Sequence, residues 1–281
     1  LFVWFVVWRK KQIQKLGEVG LLERLMPDRS RSKPVIKFVL LAMAVVFMVL
    51  AAANLQSGSK MEKVKREGID LIFALDVSRS MLAQDVKPNR LERAKLFISR
   101  MMEELKGDRV GLVVFAGNAY MQLPITTDYA AANLLLESVS PDMIPTQGTA
   151  IGEAVKQAGE GFGPREESKG GNRAIIIISD GENHEGKALE AIEAAKKEGI
   201  TVYTVGVGSD KGSPIPVFKN GRQVDYKRDS DGNYVLSKMN TEMLASMAAT
   251  GNGSYFPLNF GGNQIVSIIA DIAQLEKAEI E

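Results

Sequence analysis

The sequence contains no cysteine and a single histidine, His184. Disulfide bonds and thiolate metal sites are therefore excluded, and a zinc site built from histidines is disfavoured. The net charge is only +1 at pH 7, which gives no electrostatic basis for binding nucleic acid. The chain also lacks a G-x-x-x-x-G-K-[ST] phosphate loop and a G-x-S-x-G nucleophile turn, so neither ATP hydrolysis nor α/β-hydrolase chemistry is expected.

Charged residues are also missing from two stretches near the N-terminus. Residues 1–8 (LFVWFVVW) are wholly apolar, and a second run, 35–55, is 21 residues long and interrupted only by Lys37. About 20 helical residues cross a bilayer core of about 30 Å. We therefore expect 35–55 to be a transmembrane helix and 1–8 to be the end of an earlier one. A buried helix or a signal peptide is the alternative for 35–55.

Basic residues predominate between these two runs. Positions 9–37 carry nine Lys or Arg against three acids, whereas 60–67 carry four against two. The positive-inside rule then predicts that 9–34 form a basic cytoplasmic loop and that the chain after residue 56 lies outside the cytoplasm. A polar tether, 56–68, is expected to join the helix to the rest of the chain.

The remaining 200 or so residues alternate between two patterns. Continuous Ile- and Val-rich runs, typical of strands covered on both faces, alternate with apolar residues at helical spacing. This alternation predicts an α/β domain with a doubly wound, mostly parallel sheet over 69–275. Turn signals in KNGRQV and SDGNYV predict a β-hairpin insertion at 214–236. The expected strands are Ile69–Leu75, Val110–Ala116, Ala174–Ile178 and Ile200–Val207.

Oxygen-bearing side chains follow three of these elements. FALDVSRSM places Asp76, Ser78 and Ser80 after the first strand, SDG places Asp180 after the third, and QGTAIGEA places Thr149 before a helix. Ligands of open α/β sheets bind at the carboxyl ends of the strands, so the three loops are expected to converge there. Carboxylates and hydroxyls are hard ligands that suit Mg²⁺, with Mn²⁺ or Ca²⁺ as alternatives.

The residues alone leave other roles open for these side chains. The serines and Thr149 could cap helices, and a serine could be a nucleophile with His184 as its base. A haloacid-dehalogenase-type phosphatase is disfavoured, because its second acid would stand where this chain has Ser78. Two carboxylates at neighbouring strand ends nevertheless repel each other unless a cation or a proton lies between them.

DVSRS, GTAIG and SDG, in that order, resemble the metal-ion-dependent adhesion site of von Willebrand factor A (vWA) domains. The resemblance covers roughly residues 66–275 and implies a metal site made of Asp76, Ser78, Ser80, Thr149 and Asp180. LLERLMPDR, KPNRLERAK and GDRVGLVVFAGNAY, in turn, resemble the Bat (BatA/BatB, aerotolerance) group of bacterial inner-membrane proteins. That resemblance implies a vWA domain on the periplasmic side, with 276–281 leading towards a further C-terminal span.

The resemblance also implies a function. Adhesion-type vWA domains dock an acidic side chain of a partner on the bound cation, so we expect a non-enzymatic binding protein whose periplasmic ligand exposes an Asp or Glu. Other Bat-type vWA proteins and a MoxR-type AAA+ ATPase are the implied partners. A metal-independent scaffold subunit and, more remotely, a metal-dependent hydrolase are the alternatives. The hairpin at 214–236 is either a second contact surface or a solvated decoration.

Overall fold

The computed structural model of the chain divides into two compact units, Leu1–Val64 and Lys65–Glu281. The residues that the structure describes are 4, 7–8, 11–12, 15, 32–52, 68–105, 107–163, 172–182, 187–219, 221–258 and 263–278. Several expectations fall outside them, in whole or in part: the apolar segment 1–8, most of the basic loop 9–34, the tether up to residue 67, His184 and the chain after 278.

The described elements alternate between strand and helix, as the sequence pattern predicts. The helices are α1 Lys33–Ala52, α2 Arg90–Glu104, α3 Tyr129–Ser138, α4 Ile151–Gly161, α5 Ala188–Lys197, α6 Thr241–Thr250 and α7 Asn263–Ala278. The strands are β1 Asp70–Asp76, β2 Arg109–Phe115, β3 Ala119–Thr126, β4 Arg173–Ser179, β5 Ile200–Gly206, β6 Ser213–Pro214, β7 Pro216–Lys219, β8 Arg222–Tyr226, β9 Leu236–Ser237 and β10 Asn252–Pro257.

The main sheet has six strands in the order β10-β5-β4-β1-β2-β3. All neighbouring pairs are parallel except β2 with β3, which is antiparallel. The expectation of a mostly parallel α/β sheet is therefore confirmed. The four strands predicted from apolar runs are β1, β2, β4 and β5, each within one residue of its expected bounds. β1 and β4 are neighbours at the centre, so their carboxyl ends lie side by side.

Helices cover both faces of the sheet. Alternate residues of β1 point to opposite sides: Leu71, Phe73 and Leu75 pack in one apolar cluster, whereas Ile72 and Ala74 pack in the other. The first cluster also contains buried residues of α2, α3 and α7, and the second contains buried residues of α4, α5 and α6. Strands buried on both faces explain the continuous apolar runs of the sequence.

The segment expected to be a β-hairpin contains two small antiparallel ladders. β7 pairs with β8 to make the hairpin, and β6 pairs with β9 at its base. The second turn signal lies at an isolated β-bridge between Arg228 and Tyr234. Its turn is closed by Asp229, whose carboxylate accepts hydrogen bonds from the N–H groups of Asp231 and Asn233. Asp229 therefore stabilises this turn. The chain re-enters the main domain after Ser237 of β9.

The helix α1 is 20 residues long and consists almost entirely of apolar residues. Its large side chains are exposed, for example Leu41 at 63% and Met48 at 70%. It begins two residues before the span expected at 35–55, and the chain after Ala52 lies outside the description. Within the described part of the chain, no helix combines the length and apolar character that crossing a membrane requires. The structure does not support the expected transmembrane helix.

Four elements of the domain were not anticipated from the sequence: β3, β10, α3 and α6. β3 lies at the sheet edge, and only Ala119 and Leu123 of its eight residues are buried, so it lacks the continuous apolar run that marks the central strands. No residue of the strand β10 is fully buried, and its first residue, Asn252, is exposed. Elements at the periphery bury less apolar surface and therefore leave a weaker pattern in the sequence.

Candidate metal site

Asp76 and Asp180 lie at the carboxyl ends of β1 and β4, the two central strands. Asp76 is the last residue of β1, and Asp180 directly follows Ser179, the last residue of β4. Both carboxylates have no exposed surface. The pairing of β1 with β4 thus brings together the two acids that the sequence placed at neighbouring strand ends.

Asp76 is held by hydrogen bonds on both carboxylate oxygens. Its Oδ1 accepts the backbone N–H of Ser78 at 2.8 Å, and its Oδ2 accepts the hydroxyl of Ser179 at 2.7 Å. Burial, together with the negative charge of Asp180, raises the pKa of Asp76 to about 7, although these hydrogen bonds lower it. Ionisation of both Asp76 and Asp180 is therefore unfavourable in the folded domain.

The hydroxyl groups of the candidate site are not used as helix caps. Ser78 precedes the 3₁₀ turn Arg79–Leu82 but makes no capping bond through its side chain. Thr149 is one residue outside the helix α4, whose N-cap is Ala150. The Ser78 and Ser80 hydroxyls lie 2.9 Å apart. The capping alternative that the sequence left open is therefore not what Ser78 and Thr149 do.

The loop that carries Thr149 is attached to the end of β2 and to the first loop. The carbonyl of Ala116 accepts the N–H of Ala150 at 2.7 Å. The side chain of Gln147 accepts the N–H of Arg79 at 3.3 Å, between the two serines. Thr149 itself is 2% exposed. All three loops named by the sequence are thus fixed at one edge of the sheet.

A fourth contributor, Arg90, was missed by the sequence reasoning. It is the first residue of α2 and has no exposed side-chain surface. Its Nη1 donates to Asp180 Oδ2 at 2.9 Å, and its guanidinium also forms a two-bond contact with Asp85. A cation in the first turn of a helix opposes the helix dipole, so an arginine at that position was a usable signal. Its partner at the site, Asp180, is however 90 residues away in the sequence.

The donor chemistry and spacing fit a small divalent cation. Among the described residues no group of three or more His, Cys, Asp or Glu side chains could hold a metal, so any ion at this edge depends on hydroxyl ligands. The Ser78 and Ser80 hydroxyls form a hydrogen bond with each other at 2.9 Å, so the two oxygens lie close enough to contact one ion. The buried cation at this edge, Arg90, pairs with the buried Asp180 and the half-buried Asp85, and no bond from it to the buried Asp76 is present among the described residues.

The comparisons with known proteins agree with this fold. Residues 71–182 match the family model described as von Willebrand factor type A domain. The crystal structure of BatB from Bacteroides thetaiotaomicron is 49% identical, covers 75% of this chain and all of its own chain, and superposes with a TM-score of 0.70. An aerotolerance-related membrane protein from Bacteroides fragilis is 44% identical over 74% of this chain and all of its own, with a TM-score of 0.69.

A curated relative extends the similarity beyond the solved domains. A UPF0353 protein of Nocardia farcinica is 26% identical over 264 residues, which are 88% of this chain and 74% of the relative. The matched stretch is longer than the sheet and its helices.

Proposed function

The chain belongs to the Bat family of von Willebrand factor A (vWA) proteins, and we propose that its domain binds a divalent cation and docks protein partners through it. The proposed ligands are the hydroxyls of Ser78, Ser80 and Thr149 and the carboxylates of Asp76 and Asp180. Mg²⁺ is the proposed ion, because carboxylate and hydroxyl oxygens are hard ligands that suit it. The proposed role is non-enzymatic.

One observation carries this proposal: buried acids and uncapped hydroxyls from three loops meet where negative charge is in excess. Burial, and after it the negative charge of Asp180, raises the pKa of Asp76 and so opposes its ionisation. Burying an uncompensated charge is costly, so a cation at this edge stabilises the folded state. No helix cap or apolar contact accounts for Ser78 and Thr149 at these positions.

The residues of this chain would leave the cation able to accept a further anionic ligand. Three of the five proposed ligands are neutral hydroxyls, and Arg90 offsets part of the charge of Asp180. A divalent cation held in this way supplies an electrophilic position that a carboxylate fills. We therefore propose that the partner presents an exposed Asp or Glu. The proposed partners include other Bat-type vWA proteins and a MoxR-type AAA+ ATPase.

A chelator test separates this function from its alternative. Membrane material that contains the 281-residue chain is crosslinked and captured with Mg²⁺, with EDTA, and with the Asp76→Ala variant. We expect partners to be lost under both of the latter conditions while the circular dichroism spectrum is unchanged. Asp225→Ala, on the hairpin β7–β8, is a matched control that removes an exposed acid. Partners retained both in EDTA and with Asp76→Ala would favour a metal-independent scaffold.

We also propose that α1 holds the domain at the bacterial inner membrane, with the domain on the periplasmic side. The proposal is supported by the exposed apolar surface of α1 and by the excess of basic residues at 9–37. The chain has no cysteine, so a single Lys219→Cys variant in the exposed hairpin reports the side directly. Labelling by a membrane-impermeant maleimide in intact spheroplasts is expected. Labelling only after lysis would contradict the periplasmic location.

A further inference from the structure

Arg90 uses every hydrogen-bond donor of its guanidinium group. Its Nε donates to Asp85 Oδ1 at 2.9 Å, and its Nη2 donates to Asp85 Oδ2 at 2.8 Å and to the carbonyl of Ser237 at 3.1 Å. Its Nη1 donates to Asp180 Oδ2 at 2.9 Å and to the Ser237 hydroxyl at 2.7 Å. These bonds are five, the number of N–H groups that a guanidinium possesses. No other side chain offers this set of donors in one plane.

The pocket around Arg90 is built to fix its position. Asp85 also accepts the backbone N–H of Ser209 at 2.8 Å, which ties the loop after β5 to the same ion pair. Gly208 has φ +136°, and a Cβ there would lie 2.8 Å from Arg90 Nε. The peptide of Gly208 therefore packs closely against the guanidinium. The loop before α2, the loop after β5 and strand β9 hold the arginine together.

The consequence for Asp180 is that its two oxygens are no longer equivalent. Oδ2 accepts from Arg90 and, at 3.3 Å, from the Ser237 hydroxyl, so both of its lone-pair directions are occupied. Oδ1 accepts only the N–H of Glu182 at 3.2 Å among the bonds of the described residues. One oxygen of Asp180 thus remains available to a metal ion.

One-oxygen and two-oxygen carboxylates suit different ions. Mg²⁺ requires six oxygens in a near-ideal octahedron, whereas Ca²⁺ takes six to eight oxygens and commonly binds a carboxylate through both of its oxygens. We propose that Arg90 is a positioning residue that makes Asp180 a one-oxygen ligand and so sets the selectivity of the site for Mg²⁺ over Ca²⁺. This inference rests on the proposed cation site.

The test is the ratio of the Ca²⁺ and Mg²⁺ dissociation constants, measured by calorimetry on the full chain in detergent. Both ions carry the same charge, so the loss of a nearby cation changes both affinities in the same sense and largely cancels in the ratio. The double variant Asp85→Asn/Arg90→Gln removes the ion pair without changing the net charge. We expect the ratio to fall at least about fivefold, because Asp180 can then bind Ca²⁺ through two oxygens.

A matched control lies at the other end of β1. Asp70→Asn/Arg109→Gln removes the same kind of two-bond ion pair far from the site, and its ratio is expected to stay within about twofold of the original. Arg90→Lys keeps the charge but offers three donors in place of five, and it carries the test if the double variant does not fold.

The outcomes separate the inference from the proposed function. If the unaltered chain binds neither ion, both the proposed cation site and the selectivity role of Arg90 are wrong. If it binds Mg²⁺ and the Arg90 variants weaken both ions equally, the cation site stands and the selectivity role is wrong. A merely structural role for Arg90 predicts that second result.

Discussion

The two ends of strand β1 carry similar residues in opposite arrangements. At its start, Asp70 stands in register with Arg109 of β2 and Arg173 of β4, so an arginine begins each neighbouring strand. At its end, the neighbour of Asp76 is another acid, Asp180, which follows the end of β4. The buried cation at this end, Arg90, contacts Asp180 and Asp85. At the start of β1 the charges alternate in sign across three strands, whereas at its end acids lie next to each other.

This difference assigns different roles to the two ends. The ion pair of Asp70 with Arg109 joins two strands and leaves no carboxylate uncompensated, which is what a structural contact requires. At the other end, burial and then the negative charge of Asp180 raise the pKa of Asp76. An excess of buried charge of one sign costs stability, and such sites are retained where a ligand supplies the opposite charge.

The largest expected effect is the loss of stability on removing Arg90, and removing Arg109 at the other end is its comparison. Arg90→Ala leaves buried carboxylates without their cation and should lower the free energy of unfolding by about 3–5 kcal/mol. Arg109→Ala should cost less, about 1–2 kcal/mol, because the arginine is 42% exposed and solvent screens the pair, although the Asp70 side chain is only 4% exposed. Urea denaturation at pH 7 measures both. Equal losses would contradict the contrast between a buried and a half-exposed ion pair.

The next effect is a pH dependence that should come mainly from the acidic end, although burial and the nearby Asp70 also raise the pKa of Asp108 at the other end. The folded chain without metal keeps the proton of Asp76 up to a pH of about 7, whereas a free aspartate side chain loses its proton near 3.8. Folding therefore binds a proton between these values, and stability falls as the pH rises from about 4 to about 7. The expected loss is roughly 3–4 kcal/mol in chelator, from a shift of that size.

Two variants assign that slope to its source. Asp76→Asn should remove most of it, because an amide does not titrate in this range and only the smaller contribution of Asp108 is left. Asp70→Asn should leave most of it in place, because that variant changes the opposite end of the strand. A slope that is undiminished in Asp76→Asn would mean that another group binds the proton, and the pKa of Asp76 would then not be the cause.

Added Mg²⁺ should stabilise the folded chain by binding at the end of β1 that carries Asp76, not at the end that carries Asp70. At a concentration one hundred times its dissociation constant, a ligand that binds only the folded state adds about 2.7 kcal/mol. Thermal or urea unfolding with Mg²⁺ and with EDTA measures this increment. Asp76→Ala should abolish it, whereas Asp70→Ala should lower the stability in both conditions and leave the increment unchanged. An increment that survives Asp76→Ala places the ion elsewhere.

The sequence predicts the acids at the carboxyl end of β1 much better than it predicts the arginine that contacts them. Asp76 and Asp180 could be placed because each interrupts a continuous apolar run, and central parallel strands end at a common edge. Arg90 could not be placed in the same way. Its partners Asp180 and Ser237 are 90 and 147 residues away, and only the folded chain brings them together. An arginine in the first turn of α2 is unusual for a helix, but that position does not indicate which residues it contacts.

The pairing at the other end escaped prediction for a related reason. Asp70 and Arg109 are polar residues at the starts of predicted strands, where a solvated side chain is the usual expectation. Their contact depends on the register of β1 with β2, which apolar runs that lack an alternating pattern do not specify. The apolar runs therefore predict which strands exist, and the charged residues at their ends show how the strands align.

The smallest expected effect tests whether the two ends act independently. Asp70 and Asp76 are six residues apart on β1, which corresponds to about 20 Å along a strand. Ser179→Ala removes the hydroxyl that donates to Asp76, and Arg109→Lys removes the two-bond geometry at Asp70 while keeping the charge. Changes this far apart, with no shared partner, should add to within about 0.3–0.5 kcal/mol in the double variant.

A double-mutant cycle in urea, carried out with EDTA and again with Mg²⁺, measures that coupling. We expect it to stay below about 0.5 kcal/mol in both conditions, because the two sites share no partner and lie about 20 Å apart along β1. A coupling that appears only with Mg²⁺ would show that ion binding shifts β1 against β2 or β4. The acidic end would then act on the strand register, and the separation into a structural end and a binding end would be wrong.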